Sequence, residues 1–230
     1  MLFMHNTDEK KLDNPVWNSL SEHHKKFAIN YGRTQFYDPD YCPFGGFATL
    51  ENTADDIRKY ATIAEKFFIV GEKPEVPDSL KIVKELVCLQ MIIRKEIQLP
   101  IESEIIKITN KHNKQLCDLV NLVQPGYFKN QTYLLGDYFG IFKDGHLIAV
   151  AGERMKMNDF TEISAIITHP DHTGKGLAKQ LITNVINAVF SQNKVPYLHV
   201  LETNLGAIAL YKKLGFETRR KMSLWNISTQ

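Results

Sequence analysis

Two stretches in the second half of the chain carry apolar residues at helical spacing. Leu116, Leu119, Val120 and Val123 fall at i, i+3, i+4 and i+7 and predict a helix over residues 114–123, ended by Pro125-Gly126. Ala178, Leu181, Ile182, Val185 and Val189 form the inner face of a longer helix, from 175 to about 192. A short helix over 207–214 is closed by Gly215, the residue type favoured just past a helix end. β-branched and aromatic runs predict strands at 105–109, 138–142, 146–154, 160–168, 196–201 and 216–227. Lys143-Asp144-Gly145 is a hairpin turn between the second and third of these. Residues 127–135 are aromatic and fit either a loop or a short helix. The order is β-α-(α)-β-β-β-α-β-α-β. It describes an α/β (α+β) protein with a mixed central sheet flanked by helices.

The first hundred residues are less regular. Residues 67–71 and 81–90 read as strands. Residues 53–66 read as a helix, with Ile57, Tyr60, Ala61 and Ala64 on one face. Thr53 is placed to cap it, with Asp56 three residues on in a variant of the capping box. Asp38-Pro39 and Cys42-Pro43-Phe44-Gly45-Gly46 mark loops. The charged, Pro-rich stretch 71–77 is a turn or a rigid connection. This contrast predicts a smaller amino-terminal α/β region, 1–98, and a main domain, 99–230. The smaller region is expected to extend the sheet or wall the substrate side, without folding by itself.

Composition removes several classes. The 230 residues carry a net charge of +2 with both signs interspersed. No basic stripe points to nucleic acid, and no apolar run approaches the ~20 residues of a membrane span. The first eleven residues lack the apolar stretch of a signal peptide. Cys42, Cys88 and Cys117 lie far apart, as expected of buried, reduced thiols in a cytoplasmic protein. His169, His172 and His199 are scattered over a turn, a loop and a strand, so no metal site is expected.

The candidate chemistry begins at His172-Thr-Gly-Lys-Gly-Leu-Ala178, between a strand and a helix. Gly174 and Gly176 let the backbone approach a ligand, and the first amides of the following helix point at it. The residue after Lys175 is glycine, which excludes the P-loop pattern. Lys179 stands where a dinucleotide fingerprint needs Gly or Ala. A plain strand-to-helix turn is the other reading. Glu162, Ser164 and Ile166 alternate with Ile163, Ala165 and Ile167 along the preceding strand. A carboxylate at Glu162 is costly to bury alone. It is either an exposed or salt-bridged strand residue or a general base. Tyr211 shares a helix face with Ile208 and Leu214. It is either core or a general acid. Asn204 precedes that helix as a natural N-cap.

These two segments resemble the GNAT superfamily of acyl-coenzyme A N-acyltransferases. The family's phosphate motif, Gln/Arg-x-x-Gly-x-Gly/Ala, maps onto Thr173-Gly174-Lys175-Gly176-Leu177-Ala178, with Thr173 as the departure. Asn204, Ala207, Tyr211 and Gly215-Phe216 match the spacing of its last helix, and the resemblance covers residues 105–227. It implies acetyl-CoA as the co-substrate and a GNAT fold. It implies direct transfer of an acetyl group to a primary amine, on a small molecule or a peptide, in a ternary complex. Glu162 would then be the base and Tyr211 the acid. The main chain of Ile166, Ile167 and Thr168, with Asn204 and Ala207, would hold the pantetheine arm and the oxyanion. Tyr127, Phe128 and Tyr133 would line the acceptor pocket. Gly152-Glu-Arg154, Glu162-Ile-Ser164 and Leu198-His-Val200 are similar to the glycine N-acyltransferase-like bacterial branch. A non-catalytic acyl-CoA-binding module is the rival reading.

Overall fold

The computed structural model describes residues 8–51 and 53–229. Its β-branched segments pair into one sheet of eleven strands. In chain order the elements begin with α1 (Pro15–Ser21), β1 (Ala28–Asn30), β2 (Thr34–Tyr37), β3 (Phe44–Phe47), α2 (Thr53–Ala61), β4 (Lys66–Val70), β5 (Leu80–Ile92) and β6 (Ile106–Lys107). They continue with α3 (Asn113–Val123), β7 (Tyr138–Lys143), β8 (His146–Lys156), β9 (Phe160–Thr168), α4 (Leu177–Ser191), β10 (Val195–Leu201), α5 (Leu205–Lys213) and β11 (Glu217–Thr229). The spatial order is β1-β2-β3-β4-β11-β5-β10-β9-β8-β7-β6. Only β3 with β4 and β9 with β10 run parallel.

Strand β5, from the amino-terminal part, lies between β10 and β11, antiparallel to both. The sheet therefore runs unbroken across the two parts of the chain. Helix α4 buries Leu181, Ile182, Val185 and Val189 against Ala149, Ala151, Ile163 and Leu198. On the opposite face α3 sets Leu116, Leu119 and Val120 against Val150 and Ile167. Fully burying an aliphatic side chain of this size is worth about 1.5–3 kcal/mol, so these two faces hold the strands between them in place.

The amino-terminal part is more regular than its sequence suggests. Residues 44–47 form β3, although their two glycines read as a loop. Gly45 is there because a Cβ would collide with the ring of Phe36, which lies across it. Helix α2 stops at Ala61, short of the expected 66, before the β-branched Thr62-Ile63. Thr53 is its first residue and donates its hydroxyl to the Leu50 carbonyl at 3.2 Å, so the expected acceptor cap is not formed. Residues 127–135 resolve into a loop and a short 3-10 turn at Thr132–Leu135. Cys42 and Cys88 are buried free thiols, and Cys117 is half-buried. Among the described residues no helix is long and apolar enough to cross a membrane.

Candidate active site

Strands β9 and β10 run side by side for three residue pairs, ending at Tyr197 opposite Glu162. Beyond that point Ile163–Thr168 stays with β8 and 198–201 stays with β5. The facing edges of the two strands part, and a cleft of about 300 Å³ opens in the fork. Ile163, Ser164, Ala165 and Ile166 form one lip, and Leu198, His199, Val200 and Leu201 the other. Asn204, Ala207 and Tyr211 of α5 close one end, and Tyr127, Phe128 and Tyr138 the other. Main-chain groups on parted strand edges are ready to pair with an extended ligand.

The strand does not alternate regularly through the fork. Two residues of β9, Ala165 and Ile166, oppose one of β8, Ala151, between the pairs Ile167–Val150 and Ser164–Gly152, and Ala165 takes a φ of 50°. This bulge turns Ile166 to the α4 side with Ile163, and leaves Ala165 and Ile167 on the α3 side. The expected shared face of Glu162, Ser164 and Ile166 is thus corrected at Ile166.

Downstream, β9 runs into the phosphate loop. Gly174 and Gly176 have φ of 74° and 72°, values a side chain would resist, and Gly176 caps α4. The backbone N–H groups of residues 174–179 have no acceptor among the described residues; the first amide bonded within the helix is Gln180, to Gly176. Thr173 closes the preceding turn by donating its hydroxyl to the Pro170 carbonyl at 3.1 Å. Leu177 is buried and anchors the first turn, with Ala178 half-buried beside it. Six free amides at the positive end of a fifteen-residue helix suit a pyrophosphate, so the loop fits the phosphates of coenzyme A.

Glu162 stands at the apex of the fork, fully buried. Arg154 donates to both its oxygens, Nε at 2.7 Å and Nη2 at 2.8 Å, and His199 Nδ1 lies 2.8 Å from Oε1. Burial alone would raise the carboxyl pKa, but the Arg154 charge and the bonds from Arg154 and His199 outweigh it and hold it at about 2. Burial likewise works against the Arg154 charge, and Glu162 more than restores it. This geometry favours a role for Glu162 other than the expected base. A carboxylate with both oxygens filled and so low a pKa is a poor proton acceptor, and its place is behind the cleft wall, as the anchor of Arg154.

His199 is fixed from its other side. The Gln90 amide donates to the Leu12 carbonyl at 2.7 Å, and its oxygen accepts from Arg219 Nη1 at 2.9 Å. Gln90 Nε2 therefore faces His199 Nε2, 3.1 Å away, as a donor. That selects the imidazole tautomer with its proton on Nδ1, directed at Glu162.

Tyr211 is buried in the α5 face, edge-on to Phe216 at 5.8 Å between ring centroids. Burial pushes its hydroxyl up to about 12, so it keeps its proton while lining the cleft. Asn204 Oδ1 accepts from the Ala207 amide at 3.2 Å, the expected N-cap. Of the anticipated pocket aromatics, Tyr127 and Phe128 line the cleft. Tyr133 does not; it packs into the apolar cluster under α3, because the 3-10 turn at Thr132–Leu135 turns it there. The structure adds Arg154, Ser164 and Ala165, and also Phe44, Leu86, Cys88 and Leu224 from strands outside the fork. Burial raises the Cys88 thiol to about 11, so it lines the wall as a neutral thiol.

Comparison with known proteins agrees with this geometry. The family profile described as Acetyltransferase (GNAT) family matches residues 112–216. A crystal structure assigned as a GNAT-family acetyltransferase, from Novosphingobium aromaticivorans DSM 12444, is 31% identical with a TM-score of 0.82, covering 95% of this chain and 98% of that one. A GCN5-related N-acetyltransferase-like protein from Streptococcus suis 89/1591 is 17% identical, with a TM-score of 0.62 and 92% of each chain covered. A GCN5-related N-acetyltransferase from Kribbella flavida is 14% identical, with the same TM-score of 0.62 over 93% of each chain. At such identities the last two show the fold alone. No curated protein sequence matches the chain.

Proposed function

Because this chain belongs to the GNAT family of acetyltransferases and is an acyltransferase, we propose that it moves an acetyl group from acetyl-CoA to a primary amine by direct attack in a ternary complex. GNAT acetyltransferases use acetyl-CoA as co-substrate. The observation that carries the reading is the fork between β9 and β10. Tyr211, Tyr127 and Phe128 line the cleft in that fork, and β9, one of its lips, leads on to the six free amides at α4. Family membership favours this enzyme over a non-catalytic binding module.

Acetyl-CoA, when bound, supplies an acyl thioester. The amides of residues 174–179 take its phosphates, with Thr173–Ala178 as the loop. The parted edges at Ile166, Ile167, Thr168 and 198–201 pair with the pantetheine arm, near Asn204 and Ala207. An amide of the bulge at Ala165–Ile166 is placed for the carbonyl oxygen. The amine enters from the side of Tyr127 and Phe128. Its nitrogen bonds to the acyl carbon, the carbon–sulfur bond breaks, and Tyr211 gives its proton to the departing sulfur and takes one back from solvent. Glu162 holds Arg154 and His199 in place, and the amine proton leaves to solvent through the cleft. Among the described residues no aspartate or glutamate lines that cleft. Cys88 stays a thiol and forms no acyl intermediate.

The expected division at residue 98 becomes a division of labour within one sheet. Residues 99–230 supply the co-substrate side, and residues 1–98 supply Phe44, Leu86 and Cys88 to the acceptor wall. The narrower likeness to the glycine N-acyltransferase-like branch gains support from the meeting of Arg154, Glu162 and His199, one from each of its three motifs. Cytoplasmic location rests on the free thiols alone. The test is release of coenzyme A thiol from acetyl-CoA across a panel of amines; release with none of them rejects the reading.

A further inference from the structure

Among the described residues that line the cleft, Arg154 is the only one with a permanent charge. Its Nε and Nη2 are bound to Glu162, and its guanidinium lies over the Phe44 ring at 4.6 Å from the centroid. Nη1 has no partner among the described residues, and the side chain is 17% exposed where it meets the cleft. Beside it Tyr138 is 2% exposed, lines the same cleft, and has a buried hydroxyl without a partner. A buried hydroxyl left unpaired carries a desolvation penalty, which an occupant that pairs with it removes. Phe44, Leu86, Tyr127 and Leu224 add apolar surface to the lining, beside the polar Gln124 and Thr132.

Charge decides which amines suit such a chamber. A polyamine or an aminoglycoside brings further ammonium groups, which need carboxylates, and the wall offers an arginine instead. A planar guanidinium with one edge already held is preorganised to offer its remaining N–H groups to a carboxylate. We propose, resting on the acyl-transfer reading above, that the acceptor is an α-amino acid with a bulky apolar or aromatic side chain. Arg154 Nη1, next to the Tyr138 hydroxyl, takes its carboxylate, and Phe44, Leu86, Tyr127 and Leu224 take its side chain. The carboxylate then fixes the α-amine toward the fork. Glu162 acts through Arg154 as a positioning residue, since it holds the guanidinium edge that the substrate does not use.

The test uses the full chain and acetyl-CoA. Thiol release is followed with L-phenylalanine, L-leucine, glycine, L-phenylalaninamide, phenethylamine and spermidine. The kcat/KM for phenylalanine or leucine is expected to exceed that of every other amine by about tenfold or more, the scale of one charge-assisted hydrogen bond or one filled apolar pocket. Phenylalaninamide or phenethylamine equal to phenylalanine overturns the carboxylate contact. Glycine equal to phenylalanine overturns the apolar pocket, and spermidine as the best acceptor overturns both. Arg154→Lys should cut the ratio of acid to amide while leaving the amide's rate less affected; an unchanged ratio in a folded variant counts against Arg154. Calorimetry of phenylalanine and phenylalaninamide on the wild type with coenzyme A separates the two readings. If no amine is acetylated, acyl transfer fails as a reading, and the acceptor class still stands or falls on whether phenylalanine binds where its amide does not.

Discussion

Replacing Glu162 by glutamine tests whether its carboxylate works as an anchor or as a base. The side chain is fully buried, with Arg154 on both oxygens and His199 on one. Glutamine keeps the shape but removes the charge and turns one acceptor into a donor facing the guanidinium. The carboxyl pKa falls from 4.5 to about 2 on folding. At about 1.4 kcal/mol per pH unit this is on the order of 3 kcal/mol of stability. Stranding a buried charge by removing its partner gives a similar scale, about 3–5 kcal/mol. For a chain of this length the melting temperature should drop by roughly 6–12 °C. The sign with pH follows from the depressed folded value. The stabilisation is complete above the unfolded pKa of 4.5 and is lost as pH falls toward about 2. The wild-type advantage in urea unfolding should therefore be flat from pH 8 to pH 5.5 and smaller by about 1 kcal/mol at pH 3.5. In turnover, an anchor gives a loss that does not change between pH 7.5 and 9.5. A base gives a loss that shrinks as more acceptor is already neutral. A melting temperature within a degree or two of wild type, together with a shrinking loss of turnover, would overturn the anchor and restore the base.

Tyr211→Phe keeps the apolar face of α5 and should lower kcat by about 10² to 10⁴ with little change in acetyl-CoA affinity; full activity removes Tyr211 from the mechanism. Because burial holds its hydroxyl near 12, no fall in wild-type rate assignable to Tyr211 should appear below about pH 10 in a pH–rate series. Coenzyme A at a hundredfold excess over its Kd should stabilise the chain by about 2.7 kcal/mol, read as a thermal shift. Gly176→Asp should abolish that shift, since φ of 72° resists a side chain and the carboxylate repels phosphate; a full shift in the folded variant places coenzyme A elsewhere. A fragment of residues 1–98 should show no cooperative melt, because β5 would lose both of its neighbours; a sharp transition by circular dichroism refutes this.

The sequence pattern reached the carboxy-terminal elements because each carries its own period. The apolar faces of α3 and α4 and the β-branched β9 fall where expected, and β9 matches at both ends. What it missed depends on pairing across the chain. Strands β2 and β3 are buried along their whole length, so no alternation marks them. Helix α1 has only seven residues, too few for a period to show. At the site, the phosphate loop, Asn204 and Tyr211 were legible because each is a local device of loop and helix. The fate of Glu162 was not. It is set by Arg154 eight residues away and His199 thirty-seven away, brought together by the strand pairing. The signal that was present lay in the arginine and histidine of the short motifs around them. The bulge at Ala165 has no signature in residue type, and Tyr133 was misplaced because an aromatic near a cleft and an aromatic under a helix look alike in sequence.

The place of β11 gives the chain an unusual timetable. It joins β4 on one side to β5 on the other, yet it is made from residues 217–229, synthesised long after both. Until then the strands β1–β4 and the strands from β5 onward are two open sheets, each with a bare hydrogen-bonding edge. Strand β5 waits longest, for β10 more than a hundred residues later and then for β11. Its exposed stretch is studded with Lys81, Lys84 and Glu85, charges that discourage a stray strand from docking in the interval. Nascent chains stalled before residue 217 should thus be open to proteases along β4 and β5. Losing residues 217–229 would split the sheet, whereas an equal cut at many surface loops would leave it whole.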